Sequence, residues 1–339
     1  MPGIFSWISG FFAATGPELQ AQEPRLFNPV SGDSPTTEQN AALVQNLEGH
    51  LFCWLLDSPP AALKTCTHKI SPVLEQLEQR LHDQTIEELP RRPLTLPMLM
   101  QVLSDESSDR HEVTDIILSD PSLTDQLLQI ANSPYFKPGD QIIESVDHAV
   151  FVLGLDGIRS VISAAIMRPM MAARNSREAL FAQRVWRWGL ACARAAEMIA
   201  RIQGQDTSAH FMVGLLPALS YITLRREVHR IHLASGDRQE PAPAVMRQAL
   251  ARYHWTTTQL LANEWNLPPK YHAYLLAAER PAPDQEHTPL NDGMIIGTRE
   301  ALRHAHQRNM AEEKLLYLVR LDENQLARVR KALLRMLED

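Results

Sequence analysis

The chain has 339 residues and a net charge of −7, and 45% of its residues are hydrophobic. This charge excludes a protein that wraps nucleic acid through an overall positive field, so no nucleic-acid partner is expected. Leu, Ala, Gln, Glu and Arg dominate, only 14 glycines occur, and no long run alternates apolar and polar residues as a strand does. The composition therefore predicts an all-α protein.

The first fourteen residues, MPGIFSWISGFFAA, are apolar and aromatic, but they are too short to span a bilayer and carry no basic side chain. We interpret them as a tail or an apolar docking peptide rather than a membrane anchor, and no membrane span is expected. Residues 15–40 are rich in Pro, Gly, Ser and Asn without periodicity, which is typical of a linker. Residues 1–37 are therefore assigned to a tail and linker.

Residues 38–90 are predicted to form an acidic N-terminal helical region. The helices are broken at Ser58-Pro59-Pro60, and Leu74, Leu77 and Leu81 form one apolar stripe. Residues 1–90 carry four basic and eleven acidic side chains, a net −7, so the rest of the chain is balanced. One hypothesis is that these acidic helices dock on a basic stripe further along the chain.

Residues 91–283 are predicted to form the central domain, which follows a Pro-rich turn. Asp120-Pro121 is typical of a helix N-terminus, and Asn132 is expected to end that helix in the left-handed conformation. A second helix is predicted to begin at Ser145 and to end at Gly154.

A longer helix is predicted over about Phe181 to Gln203. At 100° per residue one face is apolar, with Val185, Trp188, Cys192, Ala195, Ala196 and Ile199. The opposite face carries Arg184, Arg187, Arg194 and Arg201. These four arginines are candidates for binding phosphates or an acidic protein. The alternative is an ordinary solvated face on which Glu197 pairs with Arg194 and Arg201.

The region from Leu94 to about Arg280 resembles the HDOD domain, a non-enzymatic relative of the HD superfamily of metal-dependent phosphohydrolases. The matching pieces occur in the family's order: LTLPMLMQVL, DPSLTDQLLQIANSPYF, IESVDHAVFVLGLDGIRSVI, the Trp-containing Ala-rich helix, GLLPALS and NEWNLPPKY. The resemblance implies that Asn132 and Arg159 are structural anchors, with Arg159 pairing with Asp156 or capping a carbonyl.

In catalytic HD relatives, histidines and aspartates on these helices bind divalent metal, and this chain departs from that pattern. The resemblance places Trp188 where the first His would stand, Pro217-Ala218 at the His-Asp position and Ala278-Glu279 at a His-His pair sometimes retained. Because indole, proline and alanine side chains offer no ligand, no catalytic residue, metal or cofactor is expected. Pro217 is also expected to mark a kink or restart of its helix after Gly214.

Other histidines give weaker signals. His229 and His232 are spaced to share a metal but lack an arranged carboxylate, so ordinary surface histidines are favoured. His304 and His306 are expected to be ordinary, and His254 is expected to be a packing residue. The alternative function is a residual metal-dependent phosphohydrolase that uses His210, His254 and a carboxylate.

The loop PAPDQEHTPLNDG is predicted after the central domain, and residues 284–339 are assigned to a C-terminal helical segment. Cys53, Cys66 and Cys192 form no CxxC pair, which fits a reducing compartment and a cytoplasmic location. The overall prediction is a compact HD-like multi-helix domain with an N-terminal helical extension and a C-terminal segment. Its expected role is non-catalytic signalling in bacteria through a protein partner such as a response regulator, kinase or diguanylate-cyclase component. A module that binds a nucleotide second messenger is the remaining alternative.

Overall fold

The computed structural model describes residues 26–27, 36–64, 72–104, 110–137, 139, 141–236, 239–281 and 287–337. Most of the predicted tail and linker, and Cys66, lie outside these residues. The described part contains α-helices and a short 3₁₀ turn at Pro60–Leu63, and no strand. The helices are α1 (Thr36–Leu55), α2 (Pro72–His82), α3 (Leu96–Ser104), α4 (Arg110–Leu118), α5 (Pro121–Ala131), α6 (Val146–Met171), α7 (Ser176–Ile202), α8 (Thr207–Ala234), α9 (Pro243–Glu264), α10 (Pro269–Glu279), α11 (Pro289–His304), α12 (Glu312–Leu315) and α13 (Glu323–Leu337). The predicted all-α class is confirmed.

Capping side chains fix where the helices of the central domain begin. Asp120 accepts hydrogen bonds from the N–H groups of Ser122 and Leu123 at 3.0 and 3.1 Å, so the predicted N-cap of α5 is confirmed. The predicted start of α6 is also confirmed, because the Ser145 hydroxyl accepts from His148 N at 3.1 Å.

Asn132 follows α5, but its conformation differs from the prediction. It adopts φ −85° and ψ −5°, which is right-handed. Its side-chain amide donates to the carbonyl of Ile143 at 2.8 Å, and its oxygen accepts from Ile143 N at 2.8 Å. Asn132 therefore ties the end of α5 to the segment before α6, and this cross-link rather than a left-handed turn is its structural role.

The centre of the fold is α7, which packs between α8 and α11. All six residues of its predicted apolar face are buried. Glycines on the two neighbouring helices allow this close approach. A Cβ at Gly214 of α8 would lie 2.7 Å from Ala193 Cα, and one at Gly297 of α11 would lie 2.6 Å from Cys192 Cα. Both sides of α7 are thus covered by other helices, which leaves little of it facing solvent.

Two predicted helix interruptions have different outcomes. The break at Gly154 is confirmed: this residue has φ 71° and ψ 175°, and a second helical half follows it to Met171. The break expected near Pro217 is wrong, because α8 continues through it from Thr207 to Ala234. Pro217 is fully buried among neighbouring helices, so tertiary packing holds the helix together although one backbone hydrogen bond is lost.

The N-terminal helical region is packed onto the central domain through a buried carboxylate. Glu227 of α8 has a fully buried side chain, and it accepts hydrogen bonds from Arg80 Nη1 at 2.6 Å and from Glu88 N at 3.1 Å. The indole N–H of Trp265 also donates to the carbonyl of Pro90 at 3.0 Å. Residues 72–90 therefore share polar contacts with the interior of the domain.

The C-terminal segment is likewise part of the core. Thr288 caps α11, and Pro289 occupies its first turn, so the predicted loop PAPDQEHTPLNDG gives way to helix within its own span. Asn291, Asp292 and Gly293 favour a loop by residue type. A helix forms instead because Thr288 caps it, Pro289 suits its first turn, and its residues are buried against α7.

Two helices are long and apolar enough to span a membrane by length and composition, α6 and α8. Most of each is buried inside the protein, and this burial is characteristic of core helices.

Candidate functional site

The ring of Trp188, which the resemblance assigns to the position of the first metal-binding His, is fully buried. Its indole N–H donates to the Thr298 hydroxyl of α11 at 2.8 Å. Its ring stacks on Tyr221 with centroids 4.8 Å apart, and Tyr221 in turn stacks on Phe52 of α1 at 6.4 Å. The N-terminal region and the C-terminal segment therefore both contribute side chains to the volume where a metal site would form.

The remaining positions of the expected metal site also lack ligands. Pro217 and Ala218 are fully buried, and the Ala218 side chain lies so close to α7 that only a glycine fits opposite it. A Cβ at Gly189 would meet Ala218 Cβ at 2.4 Å. Helices α7 and α8 are therefore in direct contact at this point.

Ala278 is buried, and Glu279 is a mostly buried carboxylate on α10. Burial raises the pKa of Glu279, and Gln259 Nε2 lies 3.3 Å from its Oε2. His254 is fully buried, with Nδ1 3.1 Å from the Leu250 carbonyl, and burial lowers its pKa to about 3. It is a neutral packing residue, as predicted.

The donor set does not fit a divalent metal. His210, the other histidine of the alternative phosphohydrolase, has Nδ1 2.7 Å from the Asp206 carbonyl. Among the described residues, no group of three or more His, Cys, Asp or Glu side chains is placed to hold an ion. The pair His229 and His232 does not belong to such a group either, although His229 Nδ1 lies 3.7 Å from Glu240 Oε2. No step of metal-dependent hydrolysis can be built from these residues.

The four predicted anion-binding arginines do not form one open face, because each contacts a neighbouring group. Arg184 donates to the Trp54 carbonyl and, at 3.0 Å, to Asp57, and Arg187 lies near the Tyr135 hydroxyl. The predicted local pairing with Glu197 is confirmed.

Arg194 lies 2.6 Å from Glu197, and Arg201 lies 3.7 Å from Glu197 and 3.5 Å from Asp156. Arg159 is buried, with Nη1 3.8 Å from Asp156 Oδ1, in agreement with its predicted pairing. Among the described residues, Arg184 is the one stripe arginine that forms an ion pair with the N-terminal region, so those acidic helices do not cover the stripe as a whole.

The sequence profile of the HDOD domain matches residues 89–281, more than half of the chain. The chain belongs to the HDOD domain family. This family is related to the HD superfamily, and membership supports a regulatory or signalling role. A comparison with curated proteins found no match.

Solved structures confirm the HDOD fold. An HDOD domain protein of unknown function from Geobacter sulfurreducens aligns with a TM-score of 0.53 and 19% identity, over 77% of this chain and 99% of that one. A protein from Shewanella amazonensis SB2B, named provisionally as a phosphohydrolase, aligns with a TM-score of 0.54 and 17% identity, over 75% and 96% of the two chains. A second protein from that organism is named provisionally as a metal-dependent phosphohydrolase. It aligns with a TM-score of 0.54 and 17% identity, over 79% of this chain and 98% of that one. At these identities the likeness shows the fold alone.

Sequence reasoning missed one polar cluster of this HDOD protein, at the start of α11. Asp292 is buried, and its carboxylate contacts both His287 Nδ1, at 3.1 Å, and Arg320 N, at 3.0 Å. The sequence signal was the Thr288-Pro289 start followed by an acidic residue in the first turn, which was assigned to a loop. The partner at residue 320 is distant in sequence and carried no signal.

Proposed function

We propose that this HDOD protein is a non-catalytic regulator that acts through protein–protein interaction in a bacterial cytosol. The observation that carries the proposal is the aromatic stack of Phe52, Tyr221 and Trp188 in the volume of the HD metal site. Because the three rings come from α1, α8 and α7, reopening the site would require separating helices of the core. Recognition, rather than hydrolysis, is the activity that such a fold supports.

The alternative, a residual metal-dependent phosphohydrolase, makes an opposite prediction about metal content. We expect protein purified without chelators to contain less than stoichiometric iron, manganese or zinc by elemental analysis, because among the described residues no three His, Cys, Asp or Glu side chains converge around His210 or His254. We also expect no phosphodiesterase turnover. Stoichiometric metal, together with turnover that is lost on chelation, would establish the enzyme instead.

A surface suited to a partner lies at the first half of α6. Phe151 is 76% exposed and Ile142, just before the helix, is 65% exposed, which is unusual for large apolar side chains. Asp156 follows on the same helix and lies 3.5 Å from the half-exposed Arg201 of α7. The same helix and the segment just before it therefore carry exposed apolar side chains and an ion pair with a guanidinium, and aromatic and arginine side chains are both enriched at protein interfaces. The matching partner surface would be an apolar socket bordered by acidic side chains.

The partner surface is tested by comparing which proteins the full chain and its variants retain from native lysate. We expect Phe151→Ser to lose the retained partner, with Arg201→Glu weakening it, because buried aromatic and arginine side chains dominate interface energies. Leu233→Ser is the matched control, since Leu233 is also an exposed apolar residue but lies at the end of α8. A partner that is lost equally from the control and from Phe151→Ser would contradict this assignment.

A further inference from the structure

A groove of about 580 Å³ lies apart from Trp188, Pro217 and Ala218, none of which lines it. It is formed where the ends of α7 and α10 meet the beginnings of α8 and α11 and the chain near residue 320. Its lining includes His210, Tyr274, His287, Arg320 and Gln325. A groove of this volume accommodates a small metabolite.

One buried carboxylate organises a wall of the groove. Asp292 accepts a hydrogen bond from Arg320 N and contacts His287 Nδ1. Because a carboxylate accepts hydrogen bonds, Nδ1 of His287 carries a proton in this contact. Asp292 thereby fixes both the orientation of the His287 imidazole and the position of the backbone at Arg320. Buried hydrogen-bond partners commonly orient the side chains of a binding site in this way.

Arg320 supplies a cationic group at the same wall. Its side chain is exposed, and among the described residues it has no ion-pair partner. A guanidinium offers five N–H donors suited to phosphate or carboxylate oxygens. The groove thus includes a donor that forms no ion pair within the part of the chain that the structure describes.

His210 supplies an acceptor from the other side. It is almost fully buried, its ring packs on Tyr274 with centroids 4.2 Å apart, and its Nδ1 lies 2.7 Å from the Asp206 carbonyl. A carbonyl oxygen only accepts, so Nδ1 carries the proton and Nε2 presents a lone pair. Within the described part of the chain no hydrogen-bond partner of Nε2 is found. Burial lowers the pKa of His210, which keeps the imidazole neutral near pH 7.

The N-terminus of α11 adds to the positive potential. This helix has sixteen residues and begins at Pro289, which lines the groove. Its dipole favours an anion, whereas Pro289 has no N–H group and the N–H group of Asn291 already donates to Thr288 Oγ1 at 3.1 Å. Two carboxylates lie nearby, and both already have partners: Asp206 pairs with Lys270 Nζ at 2.7 Å, and Asp292 accepts from Arg320 N and contacts His287 Nδ1.

We propose that this groove binds a phosphate ester that carries hydroxyl groups, the chemistry of a sugar phosphate or a nucleotide. The phosphate lies against Arg320 and the α11 N-terminus, and a ligand hydroxyl donates to His210 Nε2. The proposal goes beyond the regulatory function above, because it supplies a small-molecule input site separate from the partner surface at Phe151 and Arg201.

Calorimetry on the full chain tests the site with three probes: inorganic phosphate, ribose 5-phosphate and GMP. We expect saturable heat with ribose 5-phosphate or GMP, and roughly tenfold or more weaker binding by Arg320→Gln, since a charge-assisted pair is lost. The matched control is Arg328→Gln on α13, an exposed arginine outside the groove lining that should bind as the unmodified protein does.

A second variant separates the two halves of the site. His210→Phe keeps a ring against Tyr274 but removes the acceptor, so it should weaken binding of ribose 5-phosphate while binding of inorganic phosphate stays the same. Absence of heat with all three probes overturns the proposal, as does binding that Arg320→Gln leaves unchanged. Because neither result depends on a protein partner, the site and the regulatory function can fail independently.

Discussion

Replacing Gly297 with alanine is expected to destabilise the protein by about 3 kcal/mol or more, because the added Cβ would overlap backbone atoms of a neighbouring helix. The ideal Cβ position lies 2.6 Å from both N and Cα of Cys192. Neither atom can move without shifting α7, which packs against α8 on its other side. The free energy of unfolding is measured by denaturant titration.

The control is Gly49→Ala. Gly49 lies on the exposed side of α1, and a Cβ there meets no atom within 4 Å. This substitution is expected to stabilise the protein by up to about 1 kcal/mol, because alanine favours the helix. If Gly297→Ala is as stable as the unmodified chain, the close contact between α7 and α11 is wrong.

Replacing Glu227 with glutamine is expected to cost about 3 kcal/mol. Its buried carboxylate faces Arg80 at 2.6 Å and Arg230 at 3.0 Å, and the neutral amide leaves these two guanidinium groups with the exposed Glu87 as the acidic partner that they still share. We expect a lower denaturation midpoint and faster proteolytic cleavage within residues 72–90.

Glu78→Gln is the matched control, because Glu78 also joins the N-terminal region to the domain but at the surface. Its side chain is 49% exposed and lies 3.7 Å from Arg252. An exposed pair contributes less than about 1 kcal/mol. If the two variants lost the same free energy of unfolding, the burial of Glu227 would not increase its contribution to stability.

These contacts change how the role of residues 1–90 must be studied. A truncation of the first ninety residues removes Arg80, Glu88 and the Pro90 carbonyl, and so leaves Glu227 and the indole N–H of Trp265 without these partners. If the truncated chain lost its partner, the cause could therefore be misfolding of the central domain or removal of a docking surface, and the result would not distinguish them. Point substitutions at exposed positions avoid this ambiguity.

The sequence alone predicted the helical class, the helix starts at Asp120 and Ser145, and the break at Gly154. It also predicted the buried face of α7. Each of these features depends on local residue chemistry or on helical periodicity. The sequence was insufficient where distant segments meet. The continuity of α8 through Pro217 depends on surrounding helices, and the partners of Arg184 come from Trp54 and Asp57.

The same limit explains the candidate sites. The absence of metal ligands at Trp188, Pro217 and Ala218 is predicted from the order of residues and the family resemblance. The aromatic stack with Phe52 could not be predicted, because that residue precedes Trp188 by more than a hundred positions and shares no motif with it. The groove around Asp292 was missed for a similar reason.

The position of α11 has a consequence for synthesis of the chain. The covering of α7 on the side of Cys192 is supplied by residues 289–304, which leave the ribosome long after α7 itself. Until then an Ala-rich apolar strip stays open to water and to other nascent chains. We expect a fragment that stops at residue 281 to aggregate or to recruit chaperones during translation, even though it holds every residue that defines the family.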